Sequence, residues 1–307
     1  MLTYNGKKGI NTMNAYISDY TDFMKNTCHK SKNTVESYTR DVTQYTTYLD
    51  ELGITNIKNT TKTTVQSYML ALKKRGRATS TLSRTLASIR SFYLYLLENG
   101  LVDSDPTTSM SAPPVEKKPP MVLSSSDVEL LLAQPKLSDN KGIRDKAMLE
   151  LLYATGIRVS ELIGLDVDDV NLEIGFVHCK SGRSDRMIPI GHKAVAALTL
   201  YLENARDRFV KGKNENALFV NCGGSRISRQ GFWKVIKIYQ ESSGIEKEIT
   251  PHSLRHSFAA HLIENGADLE SLKTMMGHAD ISSTQVYTCF LDKKIRAVYE
   301  KAHPRAN

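Results

Sequence analysis

The sequence predicts a mainly α-helical chain with one small β-sheet, an α+β protein in two domains. Three observations predict it. Apolar residues recur at helical spacing from Met13 to Glu98 and again through the second half of the chain. Residues 111–120 read Ser-Ala-Pro-Pro-Val-Glu-Lys-Lys-Pro-Pro, and four prolines in ten residues exclude helix and favour a semi-rigid spacer. Two β-type runs, Phe176–Lys180 and Arg186–Ile190, flank turn residues at 181–185. The 307 residues also suit two domains at roughly 150 each. We expect a helical bundle at 11–100, a linker at 101–120 and a second domain at 121–307.

The bundle should hold four helices. The first covers Met13–Cys28, with Ile17, Tyr20, Phe23 and Met24 on one stripe. Ser31 or Asn33 caps the second, which runs through Val35, Val42, Tyr45 and Leu49 and stops at Gly53. The third covers Thr64–Lys74 and the fourth Thr79–Glu98. Tyr38, Tyr45, Tyr48 and Tyr68 read as core or interface residues. Lys73, Lys74, Arg75 and Arg77 cluster at the third connection, with Arg84 and Arg90 beyond. Any one of these charges suits a solvated face; together they suit phosphate contact.

In the second domain, Ser126-Asp127-Val128-Glu129 has the form of a capping box before Leu130. Gly142–Tyr153 is amphipathic, and Thr155-Gly156 breaks it so that Arg158 opens the next helix. Val195–Phe209 and Ser228–Ser242 are further helices, the latter placing Trp233 in the core. Leu218-Phe219-Val220 suits a short strand or a buried turn. Thr250 can cap a helix whose first position suits Pro251. His252 and Arg255 then share one face. Asp268–Met276 is a short helix ended by Gly277, and Ser282 or Ser283 can start another that carries Tyr287. Leu291–Tyr299 suits an amphipathic terminal helix.

Lys plus Arg number 41 against 33 Asp plus Glu, a net charge of +8. That balance favours a polyanionic partner without naming it. Cys28, Cys179, Cys222 and Cys289 form no Cys-x-x-Cys pair, which argues against zinc and a disulfide framework. No apolar run reaches the ~18 residues of a membrane helix. The first residues, Met-Leu-Thr-Tyr-Asn-Gly-Lys-Lys, hold no apolar signal core. We expect a cytoplasmic protein with no membrane partner and no cofactor.

Residues 250–287 hold the chemistry. His252, Arg255 and His278 are donors that can converge on one phosphate, and Tyr287 is a phenol that can attack it. A phosphodiester transition state spreads negative charge over its oxygens, so more cations should be near. Arg158 and Lys180 supply them. Arg158 suits equally a buried partner of Glu161 or Asp166, and Lys180 an exposed strand end. His256 and His261 suit hydrogen-bonded structural roles. His252-x-x-x-His256 has no glutamate beside it and no evident third ligand for zinc.

These motifs resemble the tyrosine recombinases: Thr-Gly-Ile-Arg-Val-Ser-Glu-Leu (155–162), His-Ser-Leu-Arg-His (252–256) and Gly-His-Ala-Asp-Ile-Ser-Ser-Thr-Gln-Val-Tyr-Thr (277–288). The order, the nine-residue step from His278 to Tyr287 and the final His303-Pro304-Arg305-Ala306 resemble the Xer type. Ser31–Asp41 resembles the family's core-binding domain, so the resemblance implies a DNA-clamping bundle and a catalytic domain at 121–307. It implies metal-free catalysis by Arg158, Lys180, His252, Arg255, His278 and the nucleophile Tyr287. One departure stands out. Aligning Gly182, Arg186 and Pro189 without a gap with the family's Lys-Gly-x-x-x-Arg-x-x-Pro puts Ser181 at the lysine; one extra turn residue restores Lys180, and Arg183 and Arg186 are the other candidates.

By their charge and placement, Lys73, Lys74, Arg75, Arg77, Arg84, Lys117, Lys118, Arg183, Arg226 and Arg229 are the expected phosphate contacts. The resemblance implies double-stranded DNA as partner, a homo- or hetero-tetramer with exchange of the terminal tail, and in some systems a DNA translocase. Rival readings are a type IB topoisomerase, a mobile-element integrase and a catalytically silent DNA-binding protein.

Overall fold

The computed structural model describes residues 12–114, 120–180 and 185–277. The chain divides into two compact units, Met1–Lys117 and Lys118–Asn307.

Unit one is helical. It comprises α1 (Thr12–Asn26), α2 (Lys32–Glu51), α3 (Lys62–Lys74) and α4 (Thr79–Glu98), with a 3₁₀ turn at Ile57–Asn59. Each start has a local cause. Ser31 accepts the Thr34 N–H at 3.2 Å, and Thr61 and Thr64 cap α3 reciprocally. The apolar stripes meet in a core of Tyr20, Val42, Leu49, Val65, Phe92 and Leu96. Each fully buried large side chain contributes about 1.5–3 kcal/mol of transfer free energy. Tyr45 and Tyr68 are buried there, with their ring centroids 5.2 Å apart. The Tyr45 and Tyr93 hydroxyls meet at 3.0 Å, and Tyr93 donates onward to Thr60 at 2.6 Å. Lys73, Lys74, Arg75 and Arg77 are exposed. Arg84 instead reaches Asp41, a buried carboxylate on α2, at 2.5 Å, and Ser88 donates to the same oxygen.

Unit two holds α5 (Ser125–Leu132), α6 (Asn140–Thr155), α7 (Val159–Gly164), β1 (Val170–Asn171), β2 (Phe176–Cys179) and β3 (Arg186–Pro189). Then follow α8 (His192–Tyr201), α9 (Asp207–Val210), α10 (Arg229–Ser243), α11 (Pro251–Glu264) and α12 (Leu269–Met276). The sheet is antiparallel, β1-β2-β3, with Val177 opposite Ile188 and Cys179 opposite Arg186. Helix α6 is central and buried nearly all round. Its Arg144 donates to Asp145 and to the Val220 carbonyl, and Tyr239 of α10 donates to the same aspartate at 3.0 Å. A buried charge pair with its polar atoms engaged can persist at that depth.

Four local expectations are corrected. Ser124, not Ser126, caps α5, because its hydroxyl and the Asp127 carboxylate satisfy each other's backbone N–H. The helix expected at Val195–Phe209 starts at His192 and passes through a π-helical turn at Leu202–Arg206. A third strand, too short for a periodic signal, precedes the expected hairpin. Trp233 is not core: it is 46% exposed, with the Lys237 ammonium 5.1 Å from its ring. Leu218-Phe219-Val220 is a buried turn carrying a single bridge from Val220 to Arg226. Among the described residues no helix is long and apolar enough to cross a membrane.

Candidate active site

The site begins where α6 ends. Gly156 adopts a left-handed φ of +58° there, and a Cβ would meet the Phe258 ring at 2.1 Å. No other residue turns the chain so tightly against α11. The chain then reverses into α7 with Arg158 at its cap position. The Glu161 carboxylate accepts the Arg158 backbone N–H at 2.7 Å and its Nη1 at 3.2 Å. Arg158 thus pairs with Glu161, while its side chain stays 41% exposed.

Thr250 caps α11 through the Ser253 N–H at 3.1 Å, and Pro251 occupies the first turn. That start fixes the phase of the helix. His252 faces solvent, and Arg255, one turn on, is buried. Arg255 donates to the Gly156 carbonyl and, at 2.7 Å, to that of Met276.

The end of α12 is the focus of the site. Its last carbonyls lack intrahelical partners. Arg186 donates Nε to Met275 at 2.8 Å, Arg255 donates to Met276, and Arg158 donates Nη2 to Gly277 at 3.0 Å. Three guanidinium groups from three elements thus meet three successive carbonyls at a helix C-terminus, where the dipole favours cations. Gly277 is at φ +61°, and a Cβ would lie 2.7 Å from the Arg186 guanidinium. The next residue is His278. The sequence-predicted His278 and Tyr287 lie outside the described residues, as do Lys117, Lys118, Arg183 and the terminal helix expected at 291–299.

Arg186 and Glu161 were not in the predicted catalytic set. Arg186 is 8% exposed and forks both Nη atoms onto Glu161, at 3.0 and 2.9 Å. Its guanidinium is therefore engaged by Glu161 and the Met275 carbonyl. Burial pushes the Glu161 carboxyl up, but the Arg186 bonds, the Arg158 N–H and both guanidinium charges bring it below the usual glutamate value. The signal for this pair was present in Ser-Glu-Leu and in Arg-Met-Ile-Pro. It was illegible because nothing local says that residues 161 and 186 meet.

Arg158, Arg229, Trp233 and His252 line an open cleft of about 380 Å³ together with Val159, Ser160, Thr250 and Pro251. His252 and Arg229 are exposed on it. Lys180, also exposed, pairs with Asp169 at 2.5 Å. Arg226 turns inward, donating to the Ile163 and Leu165 carbonyls at 2.9 Å and to Asp166. His256 is half-buried; burial, His252 and Arg255 hold its pKa below the usual histidine value. The His261 Nε2–H donates to the Leu123 carbonyl at 3.0 Å, so its Nδ1 accepts from the Tyr153 hydroxyl at 2.8 Å. Both ring nitrogens of His261 are thus engaged within the domain.

The N-terminal SAM-like domain of phage integrases matches residues 17–100, and the phage integrase family matches residues 121–294. The chain belongs to the phage integrase family of tyrosine recombinases. It is 46% identical over 297 residues to a tyrosine recombinase XerD of Halalkalibacterium halodurans, covering 96% of this chain and 99% of that one. A tyrosine recombinase XerD of Listeria monocytogenes is 41% identical over 96% of this chain and 100% of its own. Among solved structures, the XerA recombinase aligns over 95% of this chain and 99% of its own at 26% identity and a TM-score of 0.54. The XerH recombinase bound to its difH substrate before cleavage shares the fold at 18% identity, with a TM-score of 0.72 over 99% of both chains. Site-specific recombination is the activity of this family member, and attack by a tyrosine is the family's general mechanism.

Proposed function

We propose that Tyr287 attacks the scissile phosphodiester and becomes joined to the 3′ phosphate, releasing a 5′-hydroxyl. Arg158 and Arg255 hold the non-bridging oxygens, where planar forks match the geometry. His252 assists proton transfer at Tyr287, which ionises near 10 when free. His278 donates to the phosphate, and Lys180 protonates the departing oxygen. The single observation that carries this reading is the gathering of Arg158, Arg186 and Arg255 on the last carbonyls of α12, directly before His278. It supports a site in which positive charge gathers at the end of α12, next in sequence to His278. The covalent bond conserves the phosphodiester's energy, so a 5′-hydroxyl of another strand can reverse the step.

The partner is double-stranded DNA at a specific site. Exposed Lys73, Lys74, Arg75, Arg77 and Arg229 suit its backbone, and Lys117, Lys118 and Arg183 belong to the same proposal. Arg84 and Arg226 contribute less directly, because each already holds an aspartate. Four active sites are needed to exchange strands between two duplexes, so the working unit is a tetramer, homomeric or with a paralogue, exchanging terminal tails. The names of the XerD relatives support an Xer-type recombinase; on that reading the role is resolution of chromosome or plasmid dimers in the cytoplasm, with a DNA translocase as activator in some such systems.

The test is to incubate the protein with fragmented DNA of its own cells in EDTA, denature it, and sequence protein-linked ends. Adducts at one discrete sequence that vanish in Tyr287→Phe support the proposal. Adducts scattered over all sequences point to a topoisomerase-like relaxase. Tight binding with no adduct points to a silent DNA-binding protein.

A further inference from the structure

Lys180 and Asp169 form a contact that the proposed chemistry does not use. Side chains alternate along β2: Val177 and Cys179 are buried, and Arg186, opposite Cys179, delivers its guanidinium to the buried side. Lys180 follows Cys179, so alternation puts it with His178 on the other face. There its ammonium lies 2.5 Å from Asp169 Oδ1, while the lysine side chain remains 59% exposed. Asp169 cannot follow it. The aspartate is 6% exposed, sits in the 3₁₀ turn Val167–Asp169 and is anchored by the Asp166 N–H on Oδ2 at 2.9 Å. Of the two partners, the lysine is the one free to leave.

We propose that Asp169 is a latch for the hairpin lysine, holding its ammonium on the face of the sheet away from the arginine cluster until DNA draws it off. Asp169 is thus a positioning residue acting through Lys180, and this inference rests on Lys180 being the proton donor. In the step concerned, the Tyr287 oxygen bonds to phosphorus and the bond from phosphorus to the 5′ oxygen breaks. The phenol proton leaves to a base, and an ammonium proton of Lys180 passes to the 5′ oxygen. A lysine paired with a carboxylate holds its proton more tightly, and the Asp169 contact raises the Lys180 pKa accordingly. Latched, it is both misplaced and a weaker acid. The latch would keep an unassembled protomer from completing cleavage.

Asp169→Asn tests this with little change of shape, since an amide oxygen can still accept the Asp166 N–H. The substrate is a nicked duplex carrying the mapped cleavage site, made with an ordinary phosphate or with sulfur at the bridging 5′ position. A thiolate leaves without a proton donor. We expect Asp169→Asn to speed single-turnover cleavage of the ordinary duplex about fivefold, the scale of an exposed ion pair, and to leave the sulfur duplex unchanged. Equal rates on the ordinary duplex, or equal slowing of both duplexes, would overturn the latch. Lys180→Ala cleaving the ordinary duplex as fast as the unaltered protein would overturn the proton-donor assignment instead. In the DNA-free protein, Lys180 should be reductively methylated faster in Asp169→Asn and in Asp169→Ser; an unchanged rate in both counts against the contact.

Discussion

Arg186 and Glu161 face each other through two parallel hydrogen bonds, 3.0 and 2.9 Å long, although 25 residues separate them. Both side chains are under a tenth exposed. The same carboxylate takes the Arg158 N–H, so the pair links the hairpin to the exposed arginine of the cleft. Removing one partner of such a buried pair strands the other charge.

Glu161→Gln should therefore cost about 3–5 kcal/mol in unfolding free energy, measured by urea denaturation. Cleavage should fall as well, because Arg158 loses the group that orients it. An unchanged denaturation midpoint would contradict the geometry.

The pH dependence of that loss has a definite sign. The folded Glu161 carboxyl titrates below its ordinary value of 4.5. Its contribution is then fully present above that value and disappears as pH falls through the lower folded one. Stability curves of the protein and of Glu161→Gln should run apart above pH 4.5 and converge in acid below it. Curves that stay parallel down to acid denaturation would refute the assignment.

Gly277→Ala should destabilise α12 by about 1–2 kcal/mol from the left-handed backbone alone. The added methyl also meets the Arg186 guanidinium, so Arg186 must shift. Thermal denaturation reads the first effect and single-turnover cleavage the second; a variant with normal stability would be unexpected.

Arg158→Ala should leave the fold largely intact, because the side chain is 41% exposed. Cleavage should drop by about 10²–10³, the scale for losing one preorganised donor to a developing charge. Circular dichroism and adduct formation check the two halves separately.

Tyr153→Phe leaves His261 Nδ1 without its donor while Nε2 still holds Leu123. A buried acceptor left unsatisfied costs about 1–3 kcal/mol, measurable as a lower denaturation midpoint. Replacing both, as Tyr153→Phe with His261→Leu, should recover part of the loss.

Much of this was legible in the sequence, for a local reason. Helix periodicity, caps and breakers act within a few residues, so α2, α3, α4, α11 and α12 lie close to where Ser31, Thr64, Thr79, Thr250 and Asp268 put them. The start of α11 at Thr250 was legible, but the placing of His252 and Arg255 on one face did not foretell that His252 is exposed and Arg255 buried. Strand β1 was missed because two residues carry no period, and Trp233 was misplaced because a residue type does not say which helix face is covered. Only the tertiary structure decided that Arg158, Arg186 and Arg255 share the end of α12, that Glu161 sits between two of them, and that Lys180 rests on Asp169. Those choices depend on pairings between segments far apart in the chain, where burial demands that each charge and carbonyl find a partner and no local rule names it.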